Sequence, residues 1–279
     1  MRPRTGRTAG PDKPLRVCLV GATGRMGTLI ATEAPKDRFV ITGAVAAPDD
    51  RGIGRTLSQL GMRESDTEVS APSRLPSLLR ESDVCVSFTS AKAEMKNLPD
   101  VVEARVPFVM GTTGFTPEER SKINSSLSGR VPAVVASNFS IGANLLIALS
   151  AALESLPRGW DVSIVEAHHS GKVDAPSGTA LSIAEAASKA RKYTRMVHGR
   201  SGTSKRTPEE IEVVSLRGGG TPGVHTVFAF GPHEMLKMEH VAFSRSSFAL
   251  GALQAAEWVS AKGRAPRVYG MAEVLGLRL

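Results

Sequence analysis

Cysteine is scarce in this chain: Cys18 and Cys85 are the only two in 279 residues, and each lies inside an apolar run. That placement reads as small hydrophobes buried in a protein of a reducing cytoplasm, not as a redox pair or a metal site. Aromatic residues make up 5% of the chain, which leaves few platforms for stacking bases. No apolar run approaches the ~20 residues of a membrane span. The first residues carry Arg2, Arg4 and Arg7 but no apolar stretch of a secretory signal, so residues 1–14 read as a flexible basic tail. Neither an HExxH helix nor a Cys/His cluster occurs, and no metal is expected.

What is present is an ordinary globular composition, with 41% hydrophobic and 22% charged residues, enough for one large domain or two moderate ones. The formal charge of +8 invites a nucleic-acid partner. The excess is dispersed, however, between the tail and the segment holding Arg191, Lys192, Arg195, Arg200, Lys205 and Arg206. A phosphorylated cofactor and a small dicarboxylate account for the bias more simply, so neither nucleic acid nor membrane is expected as a partner.

Short apolar runs at residues 15–20, 39–46, 84–88, 107–110 and 133–136 alternate with helix-like segments such as 26–33 and 117–127. The second of these starts with Thr116, Pro117, Glu118 and Glu119, an N-cap followed by a first-turn proline and acids. Repeated β–α alternation predicts a doubly wound parallel sheet of Rossmann type over 15–139. Beyond Ser140 the pattern changes. A helix over 143–156 and a strand over 161–167 lead to a loop and a helix over 181–191. Three further runs, 211–216, 225–230 and 235–243, alternate in the manner of an antiparallel sheet. This predicts an α+β substrate domain over 140–245, with 246–279 returning as a helix and tail to complete the first domain.

The first βα turn carries Gly21, Ala22, Thr23, Gly24, Arg25, Met26 and Gly27. Glycines there allow close backbone approach, and a helix N-terminus offers N–H groups to a pyrophosphate. Phe88 and Thr89, then Gly111, Thr112 and Thr113, then Ser137, Asn138 and Phe139 close three further strands, where ligands of such sheets bind. The acid expected ~20 residues after the glycines to hold an NAD ribose is missing. The second strand ends in Ala46 and Ala47, with Asp49 and Asp50 placed late and Arg25, Arg51 and Arg55 nearby. NADPH is therefore the expected cofactor, with NADH as a second choice.

The densest chemistry lies in one loop: Glu166, His168, His169, Lys172, Asp174, Pro176, Ser177, Gly178 and Thr179. An imidazole can supply a proton near neutral pH, a lysine can pair with a carboxylate, and a helix start can bind an anion. Glu166 stands two residues before His168 on a strand, so both share a face and the carboxylate can orient the ring. His225 and His240 read as structural, and His198 and His233 carry no assigned role. Together with the glycine turn, the loop predicts a nicotinamide-dependent reductase of a small anionic substrate.

That loop resembles the signature of the 4-hydroxy-tetrahydrodipicolinate reductase family, the dihydrodipicolinate reductases of the diaminopimelate route to lysine. The motifs around Gly21, Phe88, Gly111, Asn138, Arg217 and His225 follow in the family's order. The resemblance implies a Rossmann-type domain, a mixed-sheet substrate domain, a homotetramer assembled through that sheet, and a dicarboxylate substrate. It implies His168 as general acid, Lys172 as substrate-binding and catalytic lysine, and His169, Ser177, Gly178 and Thr179 as substrate contacts. A related reductase of another cyclic imine and a non-catalytic NADP-binding sensor are the alternative readings. The chain departs from the family pattern in a shortened loop at 199–206, in Val224, and in Ser90, Ala91 and Lys92 after Thr89.

Overall fold

The computed structural model describes residues 13–277, so the basic tail expected at 1–14 lies, apart from Lys13 and Pro14, outside the described residues. The chain divides into two compact units, residues up to 135 with 252–269, and 136–251 with the segment after 269.

The first unit alternates strand and helix: β1 Leu15–Val20, α1 Arg25–Glu33, β2 Phe39–Val45, β3 Val69–Ser70, α2 Leu75–Arg80, β4 Val84–Ser87, α3 Ala91–Ala104, β5 Phe108–Met110, α4 Pro117–Leu127 and β6 Ala133–Val135. In the second unit follow α5 Ile141–Ala151, β7 Asp161–His168, α6 Gly178–Arg191, β8 Arg195–Val197, β9 Glu210–Arg217, β10 Gly223–Phe230 and β11 Met235–Ala242. Helix α7 Ser246–Ser260 leads back to the first unit, where β12 Val268–Tyr269 pairs with β6, while α8 Met271–Val274 belongs to the second unit, so of the return expected over 246–279 only 252–269 joins the first.

The first sheet has the order β12-β6-β5-β4-β1-β2-β3, and every pair in it is parallel. Both faces must then be covered, which is why its strands read as continuous apolar runs and not as alternation. Val17, Cys18, Leu19, Val84, Cys85, Val86, Phe108 and Val109 are all fully buried. Helix α4 starts with a capping box between Thr116 and Glu119.

The second sheet has the order β11-β10-β7-β9-β8. It is the mixed sheet expected, with β10 antiparallel to both β11 and β7, although the antiparallel reading of the run at 211–216 does not hold. Strand β9 runs parallel to β7 because α6 intervenes as a crossover. The core on one face joins Val162, Ile164, Ile211, Val213, Val227 and Ala229 to Leu146 of α5 and Ala180, Ile183 and Ala187 of α6. Strict alternation along β7 puts Val162, Ile164, Glu166 and His168 on that same buried face. Among the described residues no helix is long and apolar enough to cross a membrane.

Candidate active site

In the first unit the glycine turn is built for close approach. Gly21 takes a left-handed φ of +83°, and a Cβ there would lie 2.2 Å from the Phe88 carbonyl oxygen. The N–H groups of Gly21 and Ala22 donate to the Val45 carbonyl, and Gly24 N–H to that of Gly21. A Cβ on Gly27 would lie 2.1 Å from the Gly21 oxygen, so α1 seats its first turn directly on the end of β1. No side chain caps α1 and no acid stands in its first turn, which leaves Arg25 and Met26 at an open, positive helix N-terminus. These residues fit a pyrophosphate.

Asp50 is engaged within its own loop and the glycine turn. Its carboxylate accepts from Thr23 Oγ1 at 2.7 Å and from Gly52 N–H at 2.7 Å, pinning the loop after β2 to the glycine turn. Arg25 and Arg51 are exposed and make no ion pair among the described residues, while Arg55 donates to the Gln59 carbonyl.

At the ends of β4 and β5 the sequence reading missed a residue. Glu94 of α3 is fully buried, and its Oε2 accepts from Ser87 Oγ at 2.8 Å, Thr89 Oγ1 at 2.9 Å and Thr112 Oγ1 at 2.5 Å. Thr112 Oγ1 in turn accepts from Thr89 N–H at 2.9 Å. Thr89 and Thr112, expected to face a cofactor with donors, therefore turn their hydrogens inward. Gly111 leaves room for Phe88, whose ring a Cβ would strike at 2.0 Å; Thr113 is exposed beside it.

Ser137, Asn138 and Phe139, expected with the cofactor residues, belong to the second unit. Asn138 Nδ2 donates to Thr179 Oγ1 at 2.7 Å, and Asn138 Oδ1 accepts from Ser140 N–H at 2.8 Å. The backbone of Phe139 lies so close to α7 that a Cβ on Gly251 would meet its carbonyl oxygen at 1.8 Å.

The rest of the signature loop gathers around Glu166, which is fully buried. Its Oε2 lies 2.5 Å from His168 Nδ1, and Arg217 clamps both oxygens at 2.8 and 2.9 Å. Ser177 N–H adds a fourth bond at 3.2 Å. Burial pushes the Glu166 carboxyl up, but hydrogen bonds from Arg217, Ser215 and His168 outweigh it and hold the group at about 2. An ionised Glu166 accepts a hydrogen bond from Nδ1–H, which leaves the Nε2 of His168 outside that bond. Burial also lowers the His168 pKa, against the pull of Glu166 and with help from Lys172 and Arg217.

Arg217 was not singled out from the sequence, although its Arg-Gly-Gly context was. It stands opposite His168 in the β7–β9 register and also donates to the Asp174 carbonyl at 2.6 Å. One guanidinium thus holds strand and loop together. Lys172 Nζ pairs with Asp174 Oδ1 at 2.7 Å, and the His169 N–H donates to the Thr221 carbonyl. Ser177 is the N-cap of α6, accepting from Ala180 N–H, so Gly178 and Thr179 present the first-turn N–H groups. Because Asn138 donates to Thr179 Oγ1, the Thr179 hydroxyl has its own proton to give to an acceptor.

His225 and His240, read as structural, extend the ring of His168 across the sheet. Centroids of His168 and His225 are 5.1 Å apart, edge to face, and those of His225 and His240 are 6.2 Å apart. His225 Nε2 meets Ser177 Oγ at 3.1 Å, and burial, then the neighbouring His168 and His240, push its pKa down to about 4.

Comparison with known proteins covers nearly the whole chain. A family model described as dihydrodipicolinate reductase, N-terminus, matches residues 15–139, and its C-terminal counterpart matches 142–275. The 4-hydroxy-tetrahydrodipicolinate reductase of Methanopyrus kandleri is 38% identical over 265 residues, 93% of this chain and 96% of that one. The enzyme of the same description from Geobacter metallireducens is 36% identical, covering 95% of this chain and 100% of its own. The solved dipicolinate-bound dihydrodipicolinate reductase from Paenisporosarcina sp. TG-14 shares the fold with a TM-score of 0.69, at 23% identity over 93% of this chain and 98% of that one. The chain belongs to the dihydrodipicolinate reductase family.

Proposed function

We propose that this protein reduces 4-hydroxy-tetrahydrodipicolinate to tetrahydrodipicolinate, with loss of water, as a step of diaminopimelate and lysine biosynthesis. A nicotinamide cofactor held at the Gly21–Gly27 turn supplies the hydride when bound. The observation that carries the reading is the chain Arg217–Glu166–His168 beside Lys172 and the open first turn of α6. Lys172 pairs with a substrate carboxylate, exchanging Asp174 for it, and the N–H groups of Gly178 and Thr179 with the Thr179 hydroxyl hold an acceptor oxygen. His169 borders the same loop as a further substrate contact. His168, with Glu166 holding Nδ1, delivers a proton from Nε2 to the electron-rich centre left by the hydride.

NADPH is the preferred cofactor in this reading. Asp50 is engaged by Thr23 and Gly52, and the exposed Arg25 and Arg51 suit a 2′-phosphate. The working form is a cytoplasmic homotetramer assembled through the second sheet. In support, the sheet face opposite α5 and α6 carries Val165, Val214 and Phe228 half-buried, and Leu216 and Phe230 exposed.

The roles are tested by His168→Ala and Lys172→Ala. Each is expected to lower kcat at least ~100-fold, the usual contribution of a positioned acid or charge, with the Kd for NADPH within about twofold of wild type. Undiminished turnover in both variants contradicts the assignment.

A further inference from the structure

Among the described residues of the first unit, Glu94 is the one fully buried acid, and the reaction described above leaves it unused. Three hydroxyls converge on its Oε2, from the ends of β4 and β5. Burial pushes the Glu94 carboxyl above its ordinary value, and the hydrogen bonds from Thr112, Ser87 and Thr89 oppose that rise; three donors on one oxygen is the arrangement that favours the charged form. Oε1 has no hydrogen-bond partner among the described residues. The Cys85 thiol is held protonated, and so neutral, by Cys18, by burial and by Glu94.

The network decides what the strand ends show to a ligand. The Thr89 and Thr112 hydrogens point inward to Glu94, and the Thr89 N–H is taken by Thr112. Oxygen lone pairs above a buried negative charge remain. The glycine turn shows the reverse: an uncapped helix N-terminus with positive polarity. The crevice of this unit is therefore electrically polar, one end suited to phosphates and the other to donor groups and positive charge.

We propose that Glu94 is a positioning residue that makes the β4–β5 ends favour the oxidised, cationic nicotinamide ring over the reduced, neutral one. The inference rests on the cofactor reading above. Hydride transfer removes two electrons and one proton nucleus from the reduced ring and leaves it with one positive charge. The substrate carbon takes the hydride, and the proton comes separately from His168. A fixed negative charge close to the ring favours the cation that forms, in place before the charge develops.

The experiment measures Kd for NADP+ and for NADPH, by calorimetry and by NADPH fluorescence, on the full chain and on Glu94→Gln and Glu94→Asp. Glu94→Gln is expected to weaken NADP+ about tenfold, as removal of one buried charge near the ring would, while NADPH changes less than about twofold. Glu94→Asp, which keeps the charge, is expected to keep the wild-type ratio. Should Glu94→Gln not fold, Glu94→Met with Ser87→Ala removes the charge together with a hydroxyl that faces it, and the same ratio is read. Equal weakening of both nucleotides, or no change in either, overturns the proposal while leaving the cofactor reading intact. A wild-type protein that binds neither nucleotide overturns both.

Discussion

Replacing Glu166 by Gln removes one charge from a site that four hydrogen bonds define, and the consequences can be worked in advance. The carboxyl sits at about 2 in the folded protein against an ordinary 4.5. A shift of that size corresponds to about 3 kcal/mol of folding free energy, at 1.36 kcal/mol per unit. Because the folded value is depressed, this stabilisation is complete above pH ~4.5 and is lost as the pH falls towards ~2. Gln at 166 also has an amide donor that must face either Arg217 or the His168 Nδ1–H, and both are donors. The imidazole then loses its fixed tautomer, and kcat should fall ~100-fold with little change in NADPH affinity. The assay is urea unfolding between pH 7 and 2.5 in a Trp258→Phe background, where Trp160 reports on the second unit. Wild type should lose about 2 kcal/mol more than Glu166→Gln between pH 5 and 2.5. Parallel pH profiles for the two proteins, or full turnover in the variant, would refute the reasoning.

His225 adds a second, separate acid limb. Its folded pKa of about 4 means that it stays neutral when buried, so its stabilisation is present above the unfolded value near 6.5 and is lost as the pH falls towards ~4. His225→Phe should flatten stability between pH 6.5 and 4 and leave the limb below 4.5 in place; a limb unchanged in that upper window counts against it. Gly27→Ala puts a methyl carbon 2.1 Å from a backbone oxygen, a collision that no rotamer relieves. We expect more than about 3 kcal/mol of destabilisation and loss of NADPH binding, read by Trp258 fluorescence and nucleotide titration; a wild-type unfolding midpoint would contradict it.

Much of the fold could be read where local chemistry and burial agree. The run at 15–20 and the capped helix at 117–127 coincide with β1 and α4, because an apolar run bounded by glycine and a capping box are local signals. Helix α3 was not recognised: Pro99 lies inside it, and its buried face includes Glu94 and Asn97. β3 and β12 are two residues each, too short for any periodicity. The direction of β9 was misread because alternation reports which face is buried but not which neighbour is paired. In the site, the loop from His168 to Thr179 was legible, being contiguous. Arg217 acts across 51 residues and Glu94 across two strand ends, so neither leaves a pattern at short range. Asn138 looked like one more cofactor turn, yet its amide is committed to Thr179 and Ser140.

The central claim is tested most directly by following NADPH and NADH oxidation with substrate made in situ by the preceding synthase of the pathway. Oxidation that depends on the substrate is expected, faster with NADPH than with NADH. Folded protein that binds NADPH and oxidises neither cofactor in the presence of that substrate would contradict it.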